Sequence, residues 1–171
     1  MAKELRADPI HIEATPAQVW AVLTDFDSFP RWNPFIRRAS GELATGQKLS
    51  INLRLYGKTL VPFQPTLTMV EAPNELRWLA RMGLPGVMDV ERFFIIEAAE
   101  GGGSTFRQGE DCTGVFARLF LMTGLEGRIL AGYARLNTAL KKRAERLAAT
   151  GSADPVEESA APIAPFSDQL N

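Results

Sequence analysis

Residues 125–147 read LEGRILAGYARLNTALKKRAERL, and this stretch decides the fold. Leu125, Ile129, Tyr133, Leu136, Leu140, Ala144 and Leu147 recur at three- and four-residue steps over about six turns, the spacing of one buried helix face. The other face carries Arg128, Arg135, Lys142 and Arg146, the pattern of a solvated surface. Gly124, Gly127 and Gly132 weaken the first half of this helix by roughly 1 kcal/mol each relative to alanine. Residues 115–123 therefore read as a separate apolar turn or short helix before the main one begins.

Upstream the periodicity is different. From Ile36 to Gly114, glycine, proline and asparagine separate runs that alternate or are rich in β-formers. Strands are expected near 36–43, 47–56, 59–71, 75–82, 88–98 and 104–113. Their short connections imply hairpins and an antiparallel meander. Near the N-terminus, Ile10 and Ile12 alternate with His11 and Glu13 as a short strand. Thr15-Pro16 then reads as an N-cap followed by proline at the first helical position. Val19, Trp20, Val22 and Leu23 continue that helix, and residues 32–35 form a compact turn or second short helix.

Composition bounds the rest. The chain has 171 residues, 46% hydrophobic and 23% charged, enough for one ordinary core. We divide it into a folded domain at 1–148 and a disordered, acidic Ala/Pro/Ser-rich tail at 149–171. The tail holds Asp154, Glu157, Glu158 and Asp168 and no Lys or Arg; removing those four acids from a net charge of −1 leaves a body at +3. That charge is too small and scattered for a nucleic-acid footprint. A lone Cys112 excludes an intramolecular disulfide and a cysteine-rich zinc site, and a single histidine, His11, argues against a histidine metal site or a Ser/His dyad. No metal or cofactor is implied. No apolar run is long enough for a signal sequence or a membrane span, so no stable membrane insertion is expected and a cytoplasmic location is the default.

Three segments carry a resemblance. Ala14-Thr15-Pro16-Ala17-Gln18-Val19-Trp20, the run Asp25-Phe26-Asp27-Ser28-Phe29-Pro30-Arg31-Trp32-Asn33-Pro34, and Pro73-Asn74-Glu75-Leu76-Arg77-Trp78 resemble entry motifs of the START-like or Bet v 1-like superfamily, also called SRPBCC. The resemblance is to its bacterial polyketide cyclase/dehydrase-like branch and covers about residues 8–147. It implies an α+β helix-grip fold: a curved antiparallel sheet of about seven strands wrapped around a long C-terminal helix, two short helices after the first strand, and a hydrophobic cavity between sheet and helix.

The same pattern places Arg92, Phe94 and Ile96 on the concave side, and strand parity then turns Phe106, Gln108, Glu110, Cys112, Leu76, Trp78 and Ala80 inward. Phe93 and Ile95 fall on the outer face as a candidate partner surface. Arg92 and Glu110 are either an internal ion pair closing one end of the cavity or a device that orients an oxygen of the ligand. Trp32 either stacks on a ring at the cavity mouth or anchors the short helices. Tyr133 and Asn137, one turn apart, are each within reach of the cavity, and Tyr133 also fits the helix stripe as ordinary core. Cys112 reads as a small buried hydrophobe, and His11 points away from the core.

These residues imply binding or transport of a small hydrophobic ligand, aromatic or lipid-like, held by Trp32, Trp78, Phe94, Phe106, Tyr133 and Asn137, with polar specificity from Arg92, Gln108 and Glu110. A polyketide cyclase or dehydratase using the same cavity, with Glu110 or Tyr133 moving protons, is the alternative. A protein-interaction module of co-chaperone or toxin-like type is the third reading. A homodimer is left open.

Overall fold

The computed structural model describes residues 3–57, 59–81, 83–84, 86–117 and 124–151. Among them the order is β1 (Lys3–Arg6), β2 (Ile10–Ile12), α1 (Pro16–Thr24), a short 3-10 turn (Phe26–Ser28), α2 (Phe29–Trp32), β3 (Ile36–Ser40), β4 (Ser50–Tyr56), β5 (Thr59–Phe63), β6 (Thr66–Glu71), β7 (Glu75–Arg81), β8 (Asp89–Ala98), β9 (Ser104–Thr113) and α3 (Leu125–Thr150).

The N-terminal signals act as read. Thr15 caps α1, accepting from the Gln18 backbone N–H at 3.3 Å, while the Gln18 side-chain oxygen accepts from the Thr15 N–H at 2.9 Å. This reciprocal pair satisfies two otherwise unpartnered donors. Val19, Val22 and Leu23 are buried, and α1 packs on α3. After α2, the fully buried Asn33 accepts from the N–H groups of Phe35 (3.0 Å) and Ile36 (2.8 Å), which turns the chain into β3.

All strand pairs are antiparallel. The larger sheet runs β1-β9-β8-β7-β6, with β2 also pairing β9, and the smaller runs β3-β4-β5. The single strand expected over 59–71 is in fact two strands in different sheets, interrupted at Gln64-Pro65. Pro65 has no N–H for a ladder; its carbonyl instead accepts from Leu49 N at 2.9 Å, and β5 stays with β4 while β6 turns to β7. Strand β1 adds to the expected set; only Leu5 of its four residues is buried, so alternation is barely visible in its sequence.

The long helix lies across the concave face. Leu125, Ile129, Tyr133, Leu136, Leu140 and Ala144 are buried, as their spacing requires, and Arg128, Arg135, Lys142 and Arg146 are exposed. It continues through Thr150 and ends at Gly151, whose φ of 61° is the left-handed conformation that favours glycine. The remainder of the expected tail, 152–171, and residues 118–123 of the apolar stretch lie outside the described residues. Among the described residues no helix is long and apolar enough to cross a membrane.

The outer face corrects a second expectation. Phe93 does point away from α3, yet it is only 7% exposed. The guanidinium groups of Arg6 and Arg77 stack on its ring at 4.7 and 5.5 Å, so two cation–π contacts cover Phe93, while Ile95 of the same expected patch stays half-buried.

Candidate functional site

The register of β8 on β9 sets Arg92 opposite Glu110 and Phe94 opposite Gln108, all facing α3. Arg92 is 2% exposed. Its Nη1 donates to Glu110 Oε1 at 3.0 Å and its Nη2 to Gln108 Oε1. Gln108 in turn donates to the Asn137 side chain and, at 3.2 Å, to the Tyr133 carbonyl, and Asn137 donates to the Asp8 carbonyl at 3.2 Å. A polar chain thus crosses from the sheet through the helix to the β1–β2 link, and its side chains are all buried.

Aromatic rings enclose its charged end. The Arg92 guanidinium lies 4.2 Å from the Tyr133 ring centroid, 4.8 Å from Phe94 and 5.4 Å from Phe35. Trp78 meets Phe94 edge-on at 5.0 Å, and Phe94 stacks with Phe106 at 6.3 Å. A buried ion pair in apolar surroundings must satisfy its remaining donors to hold its charge cheaply. Here Arg92 Nε is buried without a hydrogen-bond partner, and the buried Tyr133 Oη has none but the Glu110 carboxylate beside it. The Tyr133 phenol is held well above its usual pKa, first by burial and then by the neighbouring Glu110 carboxylate, so it stays protonated.

Eight of the nine expected ligand residues, Trp78, Arg92, Phe94, Phe106, Gln108, Glu110, Tyr133 and Asn137, therefore share one interior. Trp32 does not join them. It packs edge-on to Phe29 at 5.4 Å, donates to Ser28 Oγ at 3.3 Å and lies under Arg143, which is the anchoring arrangement. Phe35 is an addition to the expected set: it enters from a turn, where no periodicity marks an inward side, although it follows the Trp32-Asn33-Pro34 segment closely.

The cavity expected around these residues is filled by the residues themselves. A side chain lining a water-sized space would show accessible surface; Phe106, Tyr133, Leu136 and Leu140 show 0% and Phe94 1%, and of the expected ligand residues gathered here only Trp78, Asn137 and Glu110 exceed 2%, at 3, 4 and 8%. A cleft of about 370 Å³ opens instead where α3 begins, lined by Gly57 of the β4–β5 turn and by Gly124, Gly127, Arg128, Ala131 and Arg135. Cys112, on the same strand face as Glu110, is buried, and its thiol is pushed up to about 12 by burial and by Glu110 and Asp111. It is no nucleophile at neutral pH. His11 is exposed and contacts Glu13 at 2.9 Å. Among the described residues no cluster of three or more His, Cys, Asp or Glu could hold a metal ion.

The family model for polyketide cyclase / dehydrase and lipid transport matches residues 7–145. Among solved structures, the Zhui aromatase/cyclase from Streptomyces sp. R1128 is similar at a TM-score of 0.68 and 15% identity, covering 86% of this chain and 96% of that one. A START superfamily protein from Mycobacterium smegmatis has a TM-score of 0.59 and 21% identity, with 85% and 98% covered. A norcoclaurine synthase from Thalictrum, solved with a transition-state analogue, has 0.62 and 12%, with 85% and 96% covered. At these identities the likenesses establish the helix-grip fold alone. No curated protein sequence matches this one.

Proposed function

This chain belongs to the polyketide cyclase / dehydrase and lipid transport family, and we propose that it binds a small hydrophobic molecule, aromatic or lipid-like, between the concave sheet face and α3. The observation that supports this is the placement of Arg92 Nε, a buried donor without a partner, and of the buried Tyr133 Oη beside Glu110 inside an aromatic enclosure. An oxygen function on the ligand would accept from both, while Trp78, Phe94 and Phe106 take its apolar body. Because the enclosure is closed by its own side chains, the ligand enters by parting them. The glycine-bearing first half of α3 lines the open cleft, and Phe35 packs against Gly132 of the same helix; these are the elements that would move.

Native mass spectrometry of the protein purified from its own host tests the reading, with Arg92→Ala and Tyr133→Phe variants alongside. A small molecule retained by the natural protein and lost or weakened in both variants is expected. A clean apo mass for the natural protein, with no uptake when it is mixed with host lipid extract, overturns it.

A second reading, a cyclase or dehydratase using the same interior, is favoured by the protonated Tyr133 hydroxyl beside Glu110. Tyr133 would donate a hydrogen bond or proton to a substrate oxygen, and Glu110, whose Oε1 accepts from Arg92, would accept one at its other oxygen. Conversion of the retained molecule that stops in Glu110→Gln while binding persists would select this reading over simple carriage.

A further inference from the structure

A bulge in β3 turns two consecutive arginines the same way. Ile36 and Ala39, three residues apart, are both buried, where an even strand would bury every second residue. The register against β4 slips between Ile36 and Arg38, so Arg37 is the extra residue, and both Arg37 and Arg38 face away from the core. On β4, Ile51 points inward, so Asn52, opposite Arg38, and Arg54 share that outer face. Arg54 N donates to Phe35 O at 2.9 Å. The Arg37 side chain folds back the same way, Nη1 donating to Asn33 O at 2.7 Å and Nη2 to Pro30 O at 2.6 Å, so both arginines lie toward one end of the β3–β4 pair.

No acid answers them. Strands β3, β4 and β5 contain no Asp or Glu, and among the described residues Arg37, Arg38 and Arg54 form no ion pair. The larger sheet is built the other way: on its outer face Arg6 meets Asp111, Arg77 meets Glu75 and Glu91, Arg81 meets Asp89, and Arg107 meets Glu97. Like charges on neighbouring strands repel, and the pKa of Arg37 is lowered first by burial and then by Arg54. Arg54 is half-buried, and its Nε is buried without a hydrogen-bond partner. Arg37 is held still by its two carbonyls, with Nε and one hydrogen on each Nη left to give. Unmet donors on a fixed frame, with repelling charge and no carboxylate, describe a site that an anion completes.

We propose that the outer face of the smaller sheet binds a phosphate group, free or as a phosphate monoester, between Arg37, Arg38 and Arg54, with Asn52 as a neutral donor beside them. A carboxylate offers two oxygens in one plane and is met by a single guanidinium fork. Three guanidinium groups from two strands call for three free oxygens and about two negative charges, which a phosphate monoester carries at neutral pH. The site faces away from the core and does not depend on what the interior binds.

The test is isothermal titration calorimetry of the full chain with sodium phosphate and with phenyl phosphate, against sodium chloride of equal ionic strength. Saturable binding of a single phosphate is expected, with none from chloride. Arg54→Gln should weaken it by about tenfold and the exposed Arg38→Gln by roughly threefold, while Arg81→Gln on the larger sheet leaves it unchanged. Thermal denaturation in phosphate-free buffer checks the fold of each variant, and added phosphate should raise the melting temperature of the natural protein more than that of Arg54→Gln. Tighter binding of phenyl phosphate identifies a phosphate carried on an organic body, and equal or weaker binding identifies the free ion; either upholds the site. Absence of saturable binding overturns the proposal, as does an equal loss in Arg81→Gln, which would make phosphate uptake a matter of overall charge.

Discussion

Phe35 occupies the space that a side chain at Gly132 would need: a Cβ there would stand 2.4 Å from Phe35 Cδ2 and Cε2. The missing methyl lets Phe35 lie between α3 and the Arg92 guanidinium, and its ring meets Tyr133 edge-on at 5.7 Å.

Alanine at the two helix glycines should therefore act in opposite directions. A methyl at Gly127 would meet nothing within 4 Å, so Gly127→Ala should raise stability by up to about 1 kcal/mol. Gly132→Ala gains the same propensity but displaces Phe35, and should lower stability by a net loss of roughly 1–3 kcal/mol, the cost of overpacking. Urea denaturation of both variants separates the effects, and a stabilised Gly132→Ala would contradict the packing described.

The Arg92–Glu110 pair should prove costly to break and cheap to replace. Glu110→Leu leaves a buried guanidinium without its carboxylate, for an expected loss of about 3–5 kcal/mol. Arg92→Met/Glu110→Leu removes both charges and should recover much of that loss. A double-mutant cycle by chemical denaturation measures the coupling, and additive losses would show that the two groups do not sense each other.

Tyr133→Phe removes a buried hydroxyl whose one polar neighbour, Glu110, keeps its ion pair with Arg92, so stability should change by less than about 1 kcal/mol. Retention of a ligand with an oxygen function should fall. Thermal denaturation and native mass spectrometry of the one variant read the two outcomes separately; a large drop in melting temperature would point to a structural role for the hydroxyl.

Alkaline pH should destabilise the fold through Cys112. Its thiol titrates near 9 when unfolded and at about 12 in the native protein, so the unfolded state releases its proton first. The stabilising contribution is whole below pH 9 and is lost as pH rises from 9 toward 12, at up to about 1.4 kcal/mol per pH unit. Cys112→Ala should flatten the stability profile above pH 9. Native Cys112 should also resist a thiol reagent at about pH 8 until urea exposes it.

Strand parity and helix period are enough to place the interior polar cluster, because each is a local rule that fixes which way a side chain points. From the placement of Arg92 in β8 and Glu110 in β9, their meeting needs only the hairpin register. What parity cannot supply is the neighbour that covers a face. Phe93 points outward as read, but Arg6 and Arg77 arrive from other strands to close over it. The strand break at Pro65 has a similar cause: residues on both sides favour extended backbone, and only the competition between β4 and β7 for partners divides them. Phe35, set by the Asn33 turn, carries no period at all. The filled interior is likewise a matter of side-chain volumes summed over distant segments, which a fold pattern leaves open.

The outer edge of β9 is shared by two short strands, β1 and β2, with Asp8-Pro9 between them. Neither offers a run long enough to template another chain, Pro9 has no N–H to give, and Lys3, Glu4, Arg6 and His11 set charged or polar groups along the way. An unprotected margin on so large a sheet would invite stacking of one molecule onto the next. The divided N-terminal segment thus works as a guard against fibril-like growth, and its deletion should show first as precipitation at high concentration.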